Sequence, residues 1–121
     1  MHPTSITPIF RIFDESKARE FYLDWLGFSV DFEHRLEENA PIYLGVSMGD
    51  IQLHLSEHSG DGTPHSIIQI QCSGLRGFHK NLKPYKYYRP SVEPYQWIEG
   101  YIHMTVNDPF KNVLVFLEKE G

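Results

Sequence analysis

The sequence has little cysteine, little positive charge and no long apolar run, and each shortage excludes a class of protein. Cys72 is the only cysteine among 121 residues, so neither an intrachain disulfide nor a cluster of cysteine metal ligands can form. The 11 lysine and arginine residues are outnumbered by 16 acidic residues, and the formal charge of −5 argues against a nucleic-acid partner. No stretch approaches the ~20 apolar residues that a membrane-spanning helix needs, so we expect no membrane partner.

The amino terminus also lacks the features of a targeting signal. It reads MHPTSITPIF, without the basic flank and apolar run of a secretory signal peptide. We therefore expect a single cytoplasmic domain over residues 1–121. The hydrophobic content of 40% and the charged content of 22% are typical of globular proteins. The 14% of aromatic residues suits a ring-lined cavity or an oligomer interface as well as a core.

The clearest element is a helix that begins after Asp14, a favoured N-cap residue, and ends before Gly27, which tolerates the left-handed conformation. Its apolar residues recur at the i, i+3, i+4, i+7 spacing of one helical face. They are Ala18, Phe21, Tyr22, Trp25 and Leu26. The spacing predicts a continuous amphipathic helix.

The order of elements around this helix occurs again in the second half of the chain. In the first half, the strand TPIFRIF precedes the helix, and FSVDFEHRLE, IYLGVSM and IQLHLSEH follow it; FSVDFEHRLE alternates strictly between two faces. In the second half, HSIIQIQC precedes the weaker helix SGLRGFHKNLKP, and the irregular, extended KYYRPSVEPYQW leads to the strands YIHMTVND and NVLVFLE. This repeat predicts an α+β fold of two tandem βαβββ modules, at about residues 5–58 and 65–119.

The stretch LHLSEHSGDGTPH, residues 53–65, raises the question of whether the chain binds a metal ion. Strand alternation places Gln52 and His54 together on the face opposite the leucines. His58 and His65 fall in the polar loop that follows. The composition of the stretch alone is compatible with both a metal site and a polar loop.

Several phrases of the sequence resemble the vicinal oxygen chelate superfamily, also called the glyoxalase/bleomycin resistance/dioxygenase superfamily, and in particular its bleomycin resistance protein-like branch. They are FDESKAREFYLDWLGFSVDFEHR and LHLSEHSGDG in the first half, and YRPSVEP and VNDPFKNVLVF in the second. The resemblance implies a homodimer in which the sheets of βαβββ modules curl into a concave cleft. In the enzyme members, that cleft holds a divalent metal ion.

The resemblance also implies four metal-ligand positions, and this chain matches few of them. The positions fall near Thr7, at His54, at Ile67 or His65, and at Val115. A catalytic divalent site usually keeps three protein ligands. We therefore expect no cofactor and no catalytic residues; if a metal is bound, His54 and His65 are its expected ligands.

We expect the ligand-binding residues of the cleft to come from both modules. Gln52 and His54 share one strand face in the first module, and Tyr101 and His103 share one in the second. Trp97 precedes that second strand, where the resemblance implies a ring that covers a bound molecule. The alternatives are structural: a histidine satisfied by a neighbour on the sheet, or a tryptophan packed at a dimer interface.

Three functions follow as hypotheses. The leading one is a non-catalytic, bleomycin resistance protein-like protein that sequesters a small aromatic or cationic molecule, such as a bleomycin-type glycopeptide, in the cleft of a dimer. The alternative is a metal-dependent glyoxalase- or dioxygenase-type enzyme (a lyase, an isomerase or a ring-cleaving enzyme) with ligands around His54, His65 and either His103 or Glu118. The third is a structural or regulatory domain whose own side chains fill the cleft.

Overall fold

The computed structural model describes residues 1–86 and 89–121 of the chain. The first half contains β1 (Ile9–Arg11), α1 (Glu15–Arg19), which continues as a π-helix (Glu20–Trp25), β2 (Ser29–His34), β3 (Tyr43–Met48) and β4 (Ile51–Ser56). The second half contains β5 (Ile67–Gln71), α2 (Leu75–Asn81), β6 (Glu93–Pro94), β7 (Tyr101–Asn107) and β8 (Val113–Lys119). No helix in these described ranges is long and apolar enough to cross a membrane.

Each half of the chain forms a four-stranded sheet with the same connectivity. The strand orders are β1-β4-β3-β2 and β5-β8-β7-β6. In both sheets the first strand lies parallel to the last, and the other neighbours are antiparallel. The buried side chains of both halves join in one hydrophobic core. The predicted α+β fold with a repeated βαβββ order is confirmed.

Two strands are shorter than the sequence pattern predicts. β1 covers only Ile9–Arg11 of the stretch TPIFRIF, and β6 contains only Glu93 and Pro94. Pro94 has no amide proton to donate to a neighbouring strand, which limits the length of this edge. Tyr87 and Tyr88, which belong to the extended stretch predicted here, lie outside the described residues.

The first helix begins as predicted and then widens. The Asp14 carboxylate accepts a hydrogen bond from the Lys17 amide at 3.0 Å, which is the geometry of an N-cap. From Glu20 the backbone winds as a π-helix, and the Leu26 amide donates to the Phe21 carbonyl five residues earlier at 3.0 Å. The prediction of a continuous α-helix is therefore wrong for its second half.

The π-helix is also where the first half contacts the second. The Tyr22 hydroxyl donates to Asp108 Oδ2 at 2.7 Å, and the Trp25 indole nitrogen donates to the Lys83 carbonyl at 2.5 Å. Both partners are distant in sequence, so no local pattern reveals them. We attribute the widening of the helix to these contacts, which a regular α-helix would place at different angles around its axis.

The prediction that side chains alternate strictly between the two faces of the second strand is wrong at one residue. β2 pairs with β3 through Val30↔Val46 and then Phe32↔Gly45, so Asp31 forms a bulge. The Ser47 hydroxyl donates to the Asp31 carboxylate at 2.8 Å. Because one residue is added without a partner, Phe32 lies on the opposite face of the sheet from Val30.

A buried carboxylate joins the two halves. Asp108 accepts hydrogen bonds from the Tyr22 hydroxyl (2.7 Å), from Asn112 Nδ2 (2.9 Å) and from the amides of Phe110 and Asn112 (2.8 Å each). Asn112 Nδ2 also donates to the Arg11 carbonyl at 2.9 Å. Burial raises the pKa of Asp108, although its hydrogen bonds from Asn112 and Tyr22 oppose the rise. This network holds the turn after β7 against the first strand and the first helix.

Candidate functional site

His54 lies on the outward face of the first sheet. Leu53 and Leu55, its neighbours on β4, are buried, whereas Gln52 is exposed and His54 is half-buried. Across the sheet, His54 is level with Ile9 on β1 and Gly45 on β3. The outward orientation follows directly from the alternation of a strand with one buried face.

Three rings surround this position and form what we call the ring cluster: Phe32, Tyr43 and His54. The His54 ring lies 5.2 Å from each of the other two, at interplanar angles of 84° to Phe32 and 74° to Tyr43. Phe32 and Tyr43 are stacked at 6.2 Å with an interplanar angle of 11°. Phe32 keeps 44% of its surface exposed, so the cluster presents aromatic surface to solvent.

Gly45 creates the space in which the Phe32 ring lies. A Cβ atom at this position would be 2.1 Å from Phe32 Cε2, closer than any real contact. The Asp31 bulge turns Phe32 to this face, and the glycine lets the ring lie flat against the β3 backbone. The cluster therefore depends on two backbone features of neighbouring strands.

Polar groups fix the orientation of the rings. The Tyr43 hydroxyl and His54 Nδ1 share a hydrogen bond of 2.8 Å. Burial, and secondly the Asp61 carboxylate, raise the pKa of the Tyr43 phenol, which keeps it protonated and able to donate. Asp61 itself accepts a hydrogen bond from the buried Ser56 hydroxyl at 3.0 Å. The direction of this bond follows the tautomer of His54: Nε2 carries a proton when Tyr43 donates and a lone pair when Nδ1 donates.

Gln52, two residues before His54 on the same face of β4, lines a cavity between the two halves of the chain. This cavity has a volume of about 550 Å³. Its walls come from the segment before β1, the start of β4 and the strand β5. The lining residues are Ser5–Pro8, Phe28, Asp50–Leu53 and Ile68–Gln71.

The second sheet carries its own polar and aromatic group around His103. Its ring lies 5.0 Å from Tyr95, whose hydroxyl accepts a hydrogen bond from the Gln69 amide at 3.0 Å. His103 Nδ1 is 3.2 Å from the Glu93 carbonyl, and because a carbonyl only accepts, Nδ1 is the donor. A neutral His103 therefore keeps an acceptor on Nε2. Tyr101, two residues earlier on β7, is half-buried.

Trp97 lies in the turn before β7 and is 76% exposed. The predicted ligand residues thus fall into two groups: Gln52 and His54 on one face of β4, and Tyr101 and His103 on β7 of the second sheet.

Of the positions implied for a metal ion, Ile67 and Val115 carry side chains without a donor atom. Ile9, rather than Thr7, is level with His54, and Val115 is level with Gln69. His65 lies exposed in the loop before β5 with a φ of 68°. Within residues 1–86 and 89–121, no three His, Cys, Asp or Glu side chains are grouped to hold a metal ion. The donor set does not fit the divalent site of the enzyme members.

Gly45 and Tyr95 were not among the site residues predicted from the sequence. A glycine inside a strand often marks a bulge or a place where another group packs closely against the backbone, and Gly45 is such a glycine. Asp31, a residue type rare in strands, marked the bulge. Tyr95 lies in an irregular stretch where parity gives no information.

Comparison with known proteins agrees with the fold. A family model described as "Glyoxalase superfamily protein" matches residues 2–121. A bleomycin-binding protein solved in complex with bleomycin has a TM-score of 0.71 and 20% identity, with 98% of this chain and 100% of that chain covered.

Two further structures are similar in the same way. The bleomycin resistance determinant encoded on the transposon Tn5 has a TM-score of 0.70 and 20% identity, over 98% and 100% of the two chains. A glyoxalase/bleomycin resistance protein/dioxygenase from Alicyclobacillus acidocaldarius has a TM-score of 0.62 and 18% identity, over 96% and 91%. None of the curated proteins matches the sequence significantly. At these identities the structures share the fold, and the family match over nearly the whole sequence makes this chain a member of the glyoxalase superfamily.

Proposed function

We propose that this protein binds a small aromatic or cationic molecule on the ring cluster and acts by sequestration, without catalysis. A bleomycin-type glycopeptide is the ligand class that we favour, since a structural neighbour is a bleomycin-binding protein in complex with bleomycin. The observation that carries the proposal is the partly exposed group of Phe32, Tyr43 and His54 on an otherwise regular sheet.

The chemistry of the cluster suits such a ligand. Aromatic faces attract cations and stack on planar rings, with each contact contributing about 0.5–2 kcal/mol. The Asp61 carboxylate lies close enough to Tyr43 to raise its pKa, so it would also stabilise a positive charge. The formal charge of −5 favours the approach of a cation over an anion.

Hydrogen bonds would add orientation to the stacking. His54 Nε2 offers a polar atom beside the rings, while His103 Nε2 on the second sheet offers an acceptor. Binding of this kind needs no nucleophile and no general base, because sequestration lowers the free concentration of the ligand without changing it. Sequestration also requires no metal ion, because no bond of the ligand is activated.

We further propose that the binding cleft closes by homodimerisation. The ring cluster of one protomer is open to solvent, and Trp97 with Ile98 forms an exposed apolar turn, 76% and 43% accessible respectively. A second protomer that placed its Trp97 opposite the ring cluster would enclose a ligand between the two apolar surfaces. In this arrangement Gln52, Tyr101 and His103 would line the rest of the cleft.

Isothermal titration calorimetry with bleomycin tests the proposal. We expect saturable binding to the wild type, weakened about tenfold or more by Tyr43→Ala, since the substitution removes both a ring and the partner of His54. Phe13→Ala is the control, because its ring is 56% exposed and contacts Phe110 instead of the ring cluster. Equal weakening by the two substitutions, or no binding to the wild type, would overturn the proposal.

A further inference from the structure

A second cavity, of about 360 Å³, lies where the β3–β4 turn meets β5 and α2, and it adjoins the larger cavity around Gln52, with which it shares Asp50, Ile51, Ile70 and Gln71. We call it the seam pocket. It contains no residue of the ring cluster. Its lining residues are Met48–Ile51, Ile70–Ser73, Leu75, Phe78 and Phe116.

The interior of the seam pocket is apolar and partly aromatic. Phe78 and Phe116 are stacked at 6.1 Å with an interplanar angle of 27°. Met48 and Ile51 are only partly buried and pack against the core. An aliphatic cavity of ~150 Å³ is enough to hold benzene, so this volume admits a larger ring system.

The rim of the seam pocket carries an unneutralised negative charge. Asp50 is exposed, and no ion pair within the described ranges involves it. Arg76, the cation in the first turn of α2, is held by two hydrogen bonds to Glu120. A second carboxylate, Glu118, caps the same helix through the amides of Gly74 and Leu75. The rim is therefore complementary to a cation, as the interior is to a ring.

We propose that the seam pocket is a second ligand site, which binds a ring-bearing ammonium ion with its ring against Phe78 and Phe116 and its charge at Asp50. The site contains no residue of the ring cluster, although its wall continues into the cavity around Gln52. A neutral molecule of the same shape binds here more weakly, because it gains the apolar contacts but not the attraction to Asp50. An anion of the same shape binds more weakly still.

Cys72 provides a direct reporter of occupancy. Its thiol is part of the pocket wall, and it is the only cysteine in the chain. Burial, and then Glu118, raise the pKa of this thiol, so its reaction with a disulfide reagent is slow enough to follow at mildly alkaline pH. A ligand in the pocket covers the sulfur and slows the reaction further.

The experiment measures the rate of Cys72 labelling by dithiobis(nitrobenzoate) in the presence of naphthylmethylammonium or its neutral analogue naphthalenemethanol. We expect both to slow labelling in a saturable way, with the ammonium ion binding about two- to fivefold more tightly, which is the range for an exposed ion pair. Asp50→Asn should abolish this preference and leave the affinity for the alcohol unchanged. Asp24→Asn, which removes an exposed acid of the first helix, should leave the preference intact.

Two results would overturn the proposal. One is that neither compound slows labelling of the wild type, and the other is that the preference for the cation survives in Asp50→Asn. Tyr43→Ala separates this site from the ring cluster: protection of Cys72 should persist in that variant, and its loss would show that the probe acts through the other site. Circular dichroism of each variant verifies that its fold is retained.

Discussion

Gly45 determines, at the scale of a single residue, what the outward face of the first sheet presents. Glycine usually weakens a strand because it has no side chain to pack. Here the missing Cβ leaves the space occupied by the Phe32 ring. Gly45 therefore makes the strand less stable, but it allows an aromatic surface to form next to His54.

Gly45→Ala should therefore affect binding more than folding. The added methyl group displaces the Phe32 ring, and since this ring is partly exposed it can rotate away at a cost of about 1 kcal/mol or less. We expect the affinity for an aromatic ligand to fall about tenfold or more, measured by calorimetry, because Phe32 no longer stacks beside Tyr43.

Gly77→Ala is the control for this substitution. No atom lies within 4 Å of a Cβ at Gly77, which is inside α2. We expect stabilisation of about 0.5–1 kcal/mol in urea unfolding and no change in affinity, since alanine favours a helix. Unchanged ligand affinity in Gly45→Ala would contradict the role given to Phe32.

At the scale of elements, the sequence predicted where the first helix begins but not that its second half is a π-helix. Asp14 and the apolar stripe are local signals, and both predicted correctly where the helix begins and which face is buried. The π-helical part depends on the hydrogen bonds of Tyr22 and Trp25 to partners beyond residue 80. The change from hydrogen bonds that span four residues to ones that span five is not visible in the amino-acid composition. The short β6 was foreseeable from its prolines, whereas the bulge at Asp31 needed the register with β3.

The contact between these elements predicts a specific pH dependence. Burial raises the folded-state pKa of Asp108 above its ordinary value near ~3.9, so folding favours the protonated form. The stability gained from this group is fully present below the unfolded pKa and is lost as the pH rises through the folded pKa. The advantage of wild type over Asp108→Asn should thus be larger at about pH 4.5 than at about pH 7.

Urea unfolding at the two pH values measures this difference. Asp108→Asn is expected to be less stable than wild type at both, because an amide cannot accept all the hydrogen bonds that the carboxylate receives from Tyr22, Phe110 and Asn112. Glu120→Gln serves as the control, since its pKa is lowered by Arg76 and the sign of its pH dependence is opposite. An advantage of wild type that grows from acid to neutral pH would show that Asp108 is stabilised as the anion.

At the scale of the whole molecule, the sequence predicted the architecture better than the site. The repeat of strands and helices is periodic and therefore visible, and alternation placed His54 and His103 on open faces. The repeat also assigned the two histidines to different modules, but neither signal could show which rings lie beside each histidine. Those rings are Tyr43 and Tyr95, which contact His54 and His103 from neighbouring segments of the chain. Such contacts between segments leave no periodic pattern in the sequence.

The homodimer is a prediction at this same scale. A stable interface buries about 800 Å² on each partner, and exposed aromatic residues at its centre contribute most of the binding energy. We expect multi-angle light scattering to give the mass of two chains for wild type and a concentration-dependent shift towards one chain for Trp97→Ala. Leu36→Ala, an exposed apolar residue in the β2–β3 loop, should leave the mass unchanged. A monomeric wild type would exclude a cleft shared between protomers.

The central claim is that the ring cluster is where the ligand binds, and an NMR titration with bleomycin tests it most directly. With the aromatic carbon–proton signals assigned, we predict saturating shifts at Phe32, Tyr43 and His54 while Phe13 stays unchanged. Saturating shifts confined to other rings, or no shifts at any concentration of bleomycin, would contradict the account.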